Sequence, residues 1–241
     1  MANKRRLEGR IALITGASRG IGAAVAKAYG VEGAQLILLA RTVGGLEEVD
    51  DAVRQSGGLP ATLVPLDITD GDGIDRMGAA LFERYGRLDV LVGNAGSLGT
   101  LTPTSHVEPK IWQQTMEINA TANARLIRSM DPLLRQSDAA RAIFVTSGVT
   151  TMNPPYWAAY AASKAALEAL VMCWAGELNK TNIHVNLLDP GVIRTAMRAR
   201  AFPGEDPQTL PRPDSVVEAF IQMALPDWTG NGERILASGI T

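Results

Sequence analysis

Short apolar runs rich in Ile, Val and Leu recur along the chain at 11–15, 35–40, 61–66, 88–92, 142–146, 183–188 and 233–236. Most do not alternate apolar with polar residues, which is the pattern of strands covered on both faces, as in a parallel sheet flanked by helices. Between them lie segments of helical length at 20–32, 46–55, 74–85, 111–135, 158–179 and 214–224. This alternation predicts an α/β fold with right-handed crossovers, a doubly wound parallel sheet of about seven strands with helices on both faces. No internal repeat, low-complexity tract or linker interrupts it, so 1–241 reads as one domain. The Pro- and Gly-rich stretch 191–213 lies between a strand and a helix that continue the pattern. A long loop inside a compact domain is expected to cover a substrate, the alternative being a surface excursion.

Composition narrows the class. Of 241 residues, 46% are hydrophobic and 20% charged, enough for a sizeable core and unlike a disordered, collagen-like or coiled-coil chain. Lys and Arg number 23 against 25 Asp and Glu, so no electrostatic footprint for nucleic acid or anionic lipid is expected. The uncharged stretch 142–163 could span a bilayer by length, but Gly148, Pro154 and Pro155 break it, so no membrane partner is expected. Residues 1–10 are basic but lead into only four apolar residues, too few for a secretion signal, and 1–9 read as a solvated, mobile terminus. The single cysteine, Cys173, excludes an intramolecular disulfide and points to a reducing, cytoplasmic setting. It lies in an apolar helical segment and is expected to be buried. His106 and His184 are far apart and unaccompanied, which suggests no metal. Trp112, Trp157, Trp174 and Trp228 read as packing residues, with Trp157 also placed to line a cleft.

The first strand runs into Thr15-Gly16-Ala17-Ser18-Arg19-Gly20-Ile21-Gly22, and a helix follows. Glycines there let the backbone approach a pyrophosphate, while the N–H groups and dipole of the new helix favour its charge. A plain tight strand-to-helix turn is the other reading. The spacing differs from G-x-G-x-x-G and resembles the T-G-x-x-x-G-x-G of the short-chain dehydrogenase/reductase family, and the stretch 194–207 resembles its short, oxoacyl-reductase-like bacterial subgroup. The family's other motifs follow in order: Asn94-Ala95-Gly96, Asn119, Ser147, Tyr160 with Lys164, and Pro190-Gly191. The resemblance covers nearly the whole chain and implies a Rossmann-type fold.

Tyr160 and Lys164, four apart in a helical pattern, share one face. An ammonium beside a phenol favours the phenolate, and bringing the phenol from about 10 to 7 needs about 4 kcal/mol. That would make Tyr160 a proton donor to a carbonyl or an acceptor from an alcohol. Ser147, at the carboxyl end of a strand, can hold the substrate oxygen. The resemblance further implies that Lys164 binds the nicotinamide ribose and that Asn119 supports a proton-relaying water. Tyr156 has no cation four residues on.

Where an NAD-preferring fold has an acid at the end of the second strand, this chain has Ala40 followed by Arg41. Arg41 and Arg19 offer two cations to a 2′-phosphate, so the cofactor is expected to be NADP(H). The resemblance places Asp67 at the adenine amine, Asn94 beside the cofactor, and Ile193 and Thr195 at the carboxamide. For Asp67 a turn or helix-capping role before Thr69 is the alternative. The expected activity is hydride transfer between NADP(H) and a small carbonyl or alcohol, or an acyl thioester. A non-turnover NADP sensor is one alternative, although it would not need Asn119, Ser147, Tyr160 and Lys164 together. A family epimerase or dehydratase is another, and those relatives are usually longer. The arginines at 194–200 suit an acidic carrier protein or an anionic substrate, the alternative being a solvated helical turn. Apolar residues around most of 158–179, and the rich segment 111–135, predict pairing with a second copy. The resemblance implies a homodimer or homotetramer, although 235–241 lack the paired glycines common in relatives.

Overall fold

A computed structural model describes residues 5–240. Its elements run β1 (Ile11–Thr15), α1 (Gly20–Val31), β2 (Gln35–Ala40), α2 (Val43–Gln55), β3 (Thr62–Pro65), α3 (Gly71–Tyr85), β4 (Val90–Gly93), α4 (Pro109–Met116) and α5 (Ala122–Leu134). There follow β5 (Ala140–Val145), α6 (Val149–Met152), α7 (Ala158–Glu177), β6 (Ile183–Asp189), α8 (Ala196–Ala201), α9 (Val217–Ala224) and β7 (Arg234–Leu236). The seven strands form one sheet in the order β3-β2-β1-β4-β5-β6-β7, and every pairing is parallel. Strand order reverses between β1 and β4, and ligands bind such sheets beyond the carboxyl ends of the strands at that switch.

Alternate residues of the central strands feed two cores. Ala12, Ile14, Leu36 and Leu38 pack with Val25 of α1 and Phe220 of α9, while Leu13, Ile37, Leu39 and Leu91 pack with Met77 of α3, Leu126 of α5 and Leu167 of α7. This is the three-layered, doubly wound arrangement predicted from the uninterrupted apolar runs.

The terminus departs from expectation. Residues 1–4 lie outside the described region, but 5–9 are fastened: Leu7 is fully buried, its N–H donates to the Glu32 carbonyl, and Arg6 pairs with Glu32 and Glu218. Two carboxylates, Glu32 at the end of α1 and Glu218 on α9, give this basic segment a place to dock. Cys173 is also exposed, not buried, because it lies on the face of α7 turned away from the sheet. Trp112 is exposed as well, whereas Trp174 packs edge-on against Phe144 as a core residue. No helix among the described residues is long and apolar enough to cross a membrane.

Candidate active site

The turn from β1 into α1 is built from backbone. Gly16 and Gly20 have φ of +65° and +59°, conformations that a side chain would strain. A Cβ on Gly22 would stand 2.4 Å from the Gly16 carbonyl oxygen, so only glycine lets the helix approach its own turn. Thr15 stitches this turn to β4: its Oγ1 donates to the Val92 carbonyl and accepts the N–H groups of Asn94 and Ala95, both at 3.0 Å. The Asn94 amide donates to the carbonyls of Thr15 and Gly16, so it braces the turn. Arg19, the N-cap of α1, makes no side-chain cap bond, and helix N–H groups at such an end favour an anion. The shape and the donors fit a dinucleotide pyrophosphate. Ser18 and Ile21 are partly exposed along the same turn, and the Thr195 methyl lies 3.7 Å from where a Gly20 Cβ would be.

At the end of β2, Arg41 is exposed, and its Nη1 lies 3.8 Å from Asp67 Oδ2. The other Asp67 oxygen accepts the N–H and hydroxyl of Thr69, so Asp67 takes the turn role while also facing Arg41. Burial raises the Asp67 pKa, but the bonds from Thr69 and the charge of Arg41 outweigh it and leave a net lowering.

The residues expected to form the reaction centre come from three segments. Between α4 and α5 the helix widens into one π turn, Glu117–Thr121, so the predicted single helix 111–135 is interrupted. Such turns are frequent at functional sites. Fully buried Asn119 sits in it, donating to the Ser97 carbonyl and to Ser163 Oγ, both at 2.8 Å, and accepting from Ser97 N–H at 2.7 Å. Ser147 follows β5, and Tyr160 and Lys164 lie one turn apart in α7. A Cβ on Gly96 would meet Asn119 Oδ1 at 3.3 Å and Lys164 Nζ at 3.6 Å, which puts Gly96, Asn119 and Lys164 together.

Electrostatics differ from the sequence expectation. Burial pushes the Tyr160 phenol up to about 12, opposed by the nearby Ser147 hydroxyl and reinforced by the negative charge of Asp189. Burial pushes the Lys164 ammonium down to about 8, opposed by Glu168. Lys164 Nζ donates to the Val145 carbonyl at 2.8 Å and stands 6.0 Å from the centre of the Tyr160 ring. Burial therefore holds the Tyr160 phenol above its ordinary value, with Ser147 as the opposing influence, and Tyr160 keeps its proton at neutral pH.

An apolar cluster lies over this centre. Leu98, Val149 and Tyr160 pack with Leu101, Trp157, Met197 and Ala201, and the Trp157 ring contacts both Tyr160 and Phe202. Segment 191–213 supplies Met197, Ala201 and Phe202, and it begins at Gly191, whose φ is +72°. Ile193 is buried, and Thr195 Oγ1 caps α8 by accepting Arg198 N–H. Pro190 and Gly191 follow β6 directly. The His106 ring is hydrogen-bonded to Ser105, and the His184 ring to the Trp228 carbonyl. Sequence reasoning missed Thr15, Ser97 and Ser163 as partners. Thr15 opens the glycine motif and Ser163 adjoins Lys164, whereas nothing local marks Ser97.

A family model described as short chain dehydrogenase matches residues 10–206. The chain belongs to that family. It is 37% identical to the oxidoreductase YciK of Escherichia coli (strain K12) over 89% of this chain and 86% of that protein. It is 34% identical to the 3-oxoacyl-[acyl-carrier-protein] reductase FabG of Thermotoga maritima over 80% of this chain and 77% of the relative. A short chain dehydrogenase from Shigella flexneri 2a str. 301, solved in complex with NADP, superposes with a TM-score of 0.94 at 35% identity, covering 98% of this chain and 100% of that one.

Proposed function

We propose that this protein is an NADP(H)-dependent oxidoreductase that reduces a carbonyl or oxidises an alcohol, with Tyr160 as general acid and base. The observation that carries this reading is the buried Tyr160 one turn from Lys164 in α7, with Lys164 Nζ 6.0 Å from the Tyr160 ring centre and Gly96 and Asn119 against that ammonium. Ser147 holds the substrate oxygen, and Tyr160, protonated at neutral pH, delivers its proton there. Lys164 holds the nicotinamide ribose, and Asn119 fixes the loop at Ser97 and stands beside Lys164. The nicotinamide, when bound, supplies or takes the hydride. Gly16, Ser18, Arg19, Gly20, Ile21 and Gly22 receive the pyrophosphate, while Arg41 faces the 2′-phosphate and Asp67 the adenine. Asn94, Ala95 and Gly96 line the next strand end. Pro190, Gly191, Ile193 and Thr195 border the nicotinamide, and 191–213 covers a small-molecule substrate with an apolar wall.

Assaying ketones, acyl thioesters and quinones for NADPH consumption tests this reading. Turnover of at least one, lost in Tyr160→Phe, is expected; no NADPH consumption with any of them would favour the sensor. The lone cysteine suits the cytoplasm. Ala165, Ala169 and Met172 on the outer face of α7, with Trp112 of α4, form the surface on which this reading places a second copy. Light scattering at micromolar concentration should give a dimer or tetramer, and a mass near 25.6 kDa would rule that out.

A further inference from the structure

A cluster of charges just outside the reaction centre joins three elements. Arg234 of β7 stands between two carboxylates, with Nε 3.2 Å from Glu168 Oε1 of α7 and Nη2 3.0 Å from Asp189 Oδ2 of β6. The same Nη2 donates to the carbonyl of Ser147 at 3.1 Å. Glu168 Oε1 accepts the hydroxyls of Thr146 and Thr150, which flank Ser147 on either side. The second Asp189 oxygen accepts the Gly191 N–H at 3.0 Å. One guanidinium therefore ties the strand end that carries Ser147 to the Pro190-Gly191 turn.

We infer that Arg234, through Glu168 and Asp189, is a positioning residue that holds Ser147 in register with Tyr160 and with the turn at 190–191. The inference rests on the reading above that Ser147 and Tyr160 form the reaction centre. Ser147 lies beyond the last ladder pair of β5, where the sheet no longer fixes the backbone. A reacting group displaced by about 1 Å can cost about 100-fold in rate, so a segment outside the ladder needs fastening of its own. Arginine suits the task because its planar fork reaches two carboxylates and a carbonyl at once, which a lysine's point charge does less well. The cluster is also sheltered: the side chains of Arg234, Glu168 and Asp189 are 30%, 20% and 9% exposed. It is accordingly less screened than a surface pair.

The test uses the full chain and whichever of acetoacetyl-CoA and phenanthrenequinone it reduces faster with NADPH. Arg234→Met should lower kcat about 10-fold or more, while the Kd for NADPH stays within about twofold and each chain still binds one NADPH. Arg234→Lys, which keeps the charge but not the fork, should recover kcat to within about threefold of the parent. If Arg234→Met does not fold, Glu168→Gln decides: it preserves volume and should lower kcat about fivefold with the shape of the kcat pH profile unchanged, whereas a loss through the charge on Lys164 would shift that profile and overturn the proposal. A merely structural tie would reduce kcat and the fraction of NADPH-binding chains in step, and that outcome overturns the proposal. So does a kcat within twofold of the parent for Glu168→Gln or a folded Arg234→Met. Full activity in Tyr160→Phe, or no reduction of either substrate, would instead strike the reading of the reaction centre.

Discussion

The nucleotide end and the reaction centre of this protein are built on opposite principles. At the turn after β1 the working groups are backbone amides and absent side chains, all within eight consecutive residues, and the two cations nearby, Arg19 and Arg41, are exposed. At the proposed reaction centre the working groups are side chains from three separated segments, and those of Asn119, Tyr160 and Lys164 are buried. The first arrangement costs little to assemble, because the local chain dictates it. The second takes a phenol, an ammonium and an amide out of water and needs long-range partners to be satisfied. The two regions should therefore fail differently when altered: one by losing affinity, the other by losing rate and, in one case, by gaining stability.

The largest expected effect is on rate. Tyr160→Phe removes the proton donor and leaves the ring, so turnover should fall at least about 100-fold, since a general acid typically contributes 10²–10⁴. NADPH affinity should stay within a few fold, because the phosphate turn is untouched. Fluorescence titration beside steady-state assay separates the two, and near-normal turnover would break the comparison at its centre.

Lys164 gives the second test, on stability. Its folded pKa of about 8 lies below the ordinary lysine value of 10.5, so the folded protein binds this proton more weakly than the unfolded chain does. The sign follows from linkage: the contribution to stability is present above 10.5 and is lost as pH falls through about 8. At pH 7 the buried ammonium should therefore cost about 3 kcal/mol relative to high pH. Lys164→Met abolishes turnover, yet after loss of the bond to Val145 it should stabilise the fold by about 1–3 kcal/mol at pH 7. That gain should vanish between pH 8 and 10.5. Urea unfolding across this range measures it, and a variant less stable than the parent at pH 7 would show that the burial penalty is not real.

The same contrast explains what the sequence could tell. β1 and β2 begin and end where the apolar runs do, because fully covered strands reveal themselves in one dimension. β5 starts two residues before the predicted 142 because Arg141, which breaks the apolar run, is itself buried and donates to the carbonyls of Ala140, Leu225 and Pro226. No local pattern announces those partners. The split of 111–135 at the π turn is likewise tertiary, since the Asn119 side chain is engaged by Ser97 and Ser163 from other segments. Tyr160 and Lys164 were legible because helical spacing places them together, but their protonation was not, because burial depends on everything packed above them. Arg234 is seventy residues beyond Lys164 in sequence, and only the sheet brings β7 to Ser147.

The smallest effect belongs to the exposed cation. Arg41 is 67% exposed and Asp67 44%, with 3.8 Å between the charges, a pair that contributes less than about 1 kcal/mol once water and salt screen it. Arg41→Ala should therefore leave unfolding free energy unchanged within about 0.5 kcal/mol, as for most surface substitutions. Its consequence should appear only when a 2′-phosphate arrives. The guanidinium makes charge-assisted bonds to such a group and none to a bare 2′-hydroxyl of the same kind, so its loss should weaken NADPH by about 10-fold and NADH hardly at all. Arg19 remains to contact the phosphate, which is why the preference should shrink strongly without the variant becoming an NADH enzyme. Equal NADPH and NADH affinities in the unaltered protein would show that the end of β2 does not select the cofactor. A preference that survives Arg41→Ala intact would move the selection to Arg19 alone and make the glycine turn the source of specificity as well as of affinity.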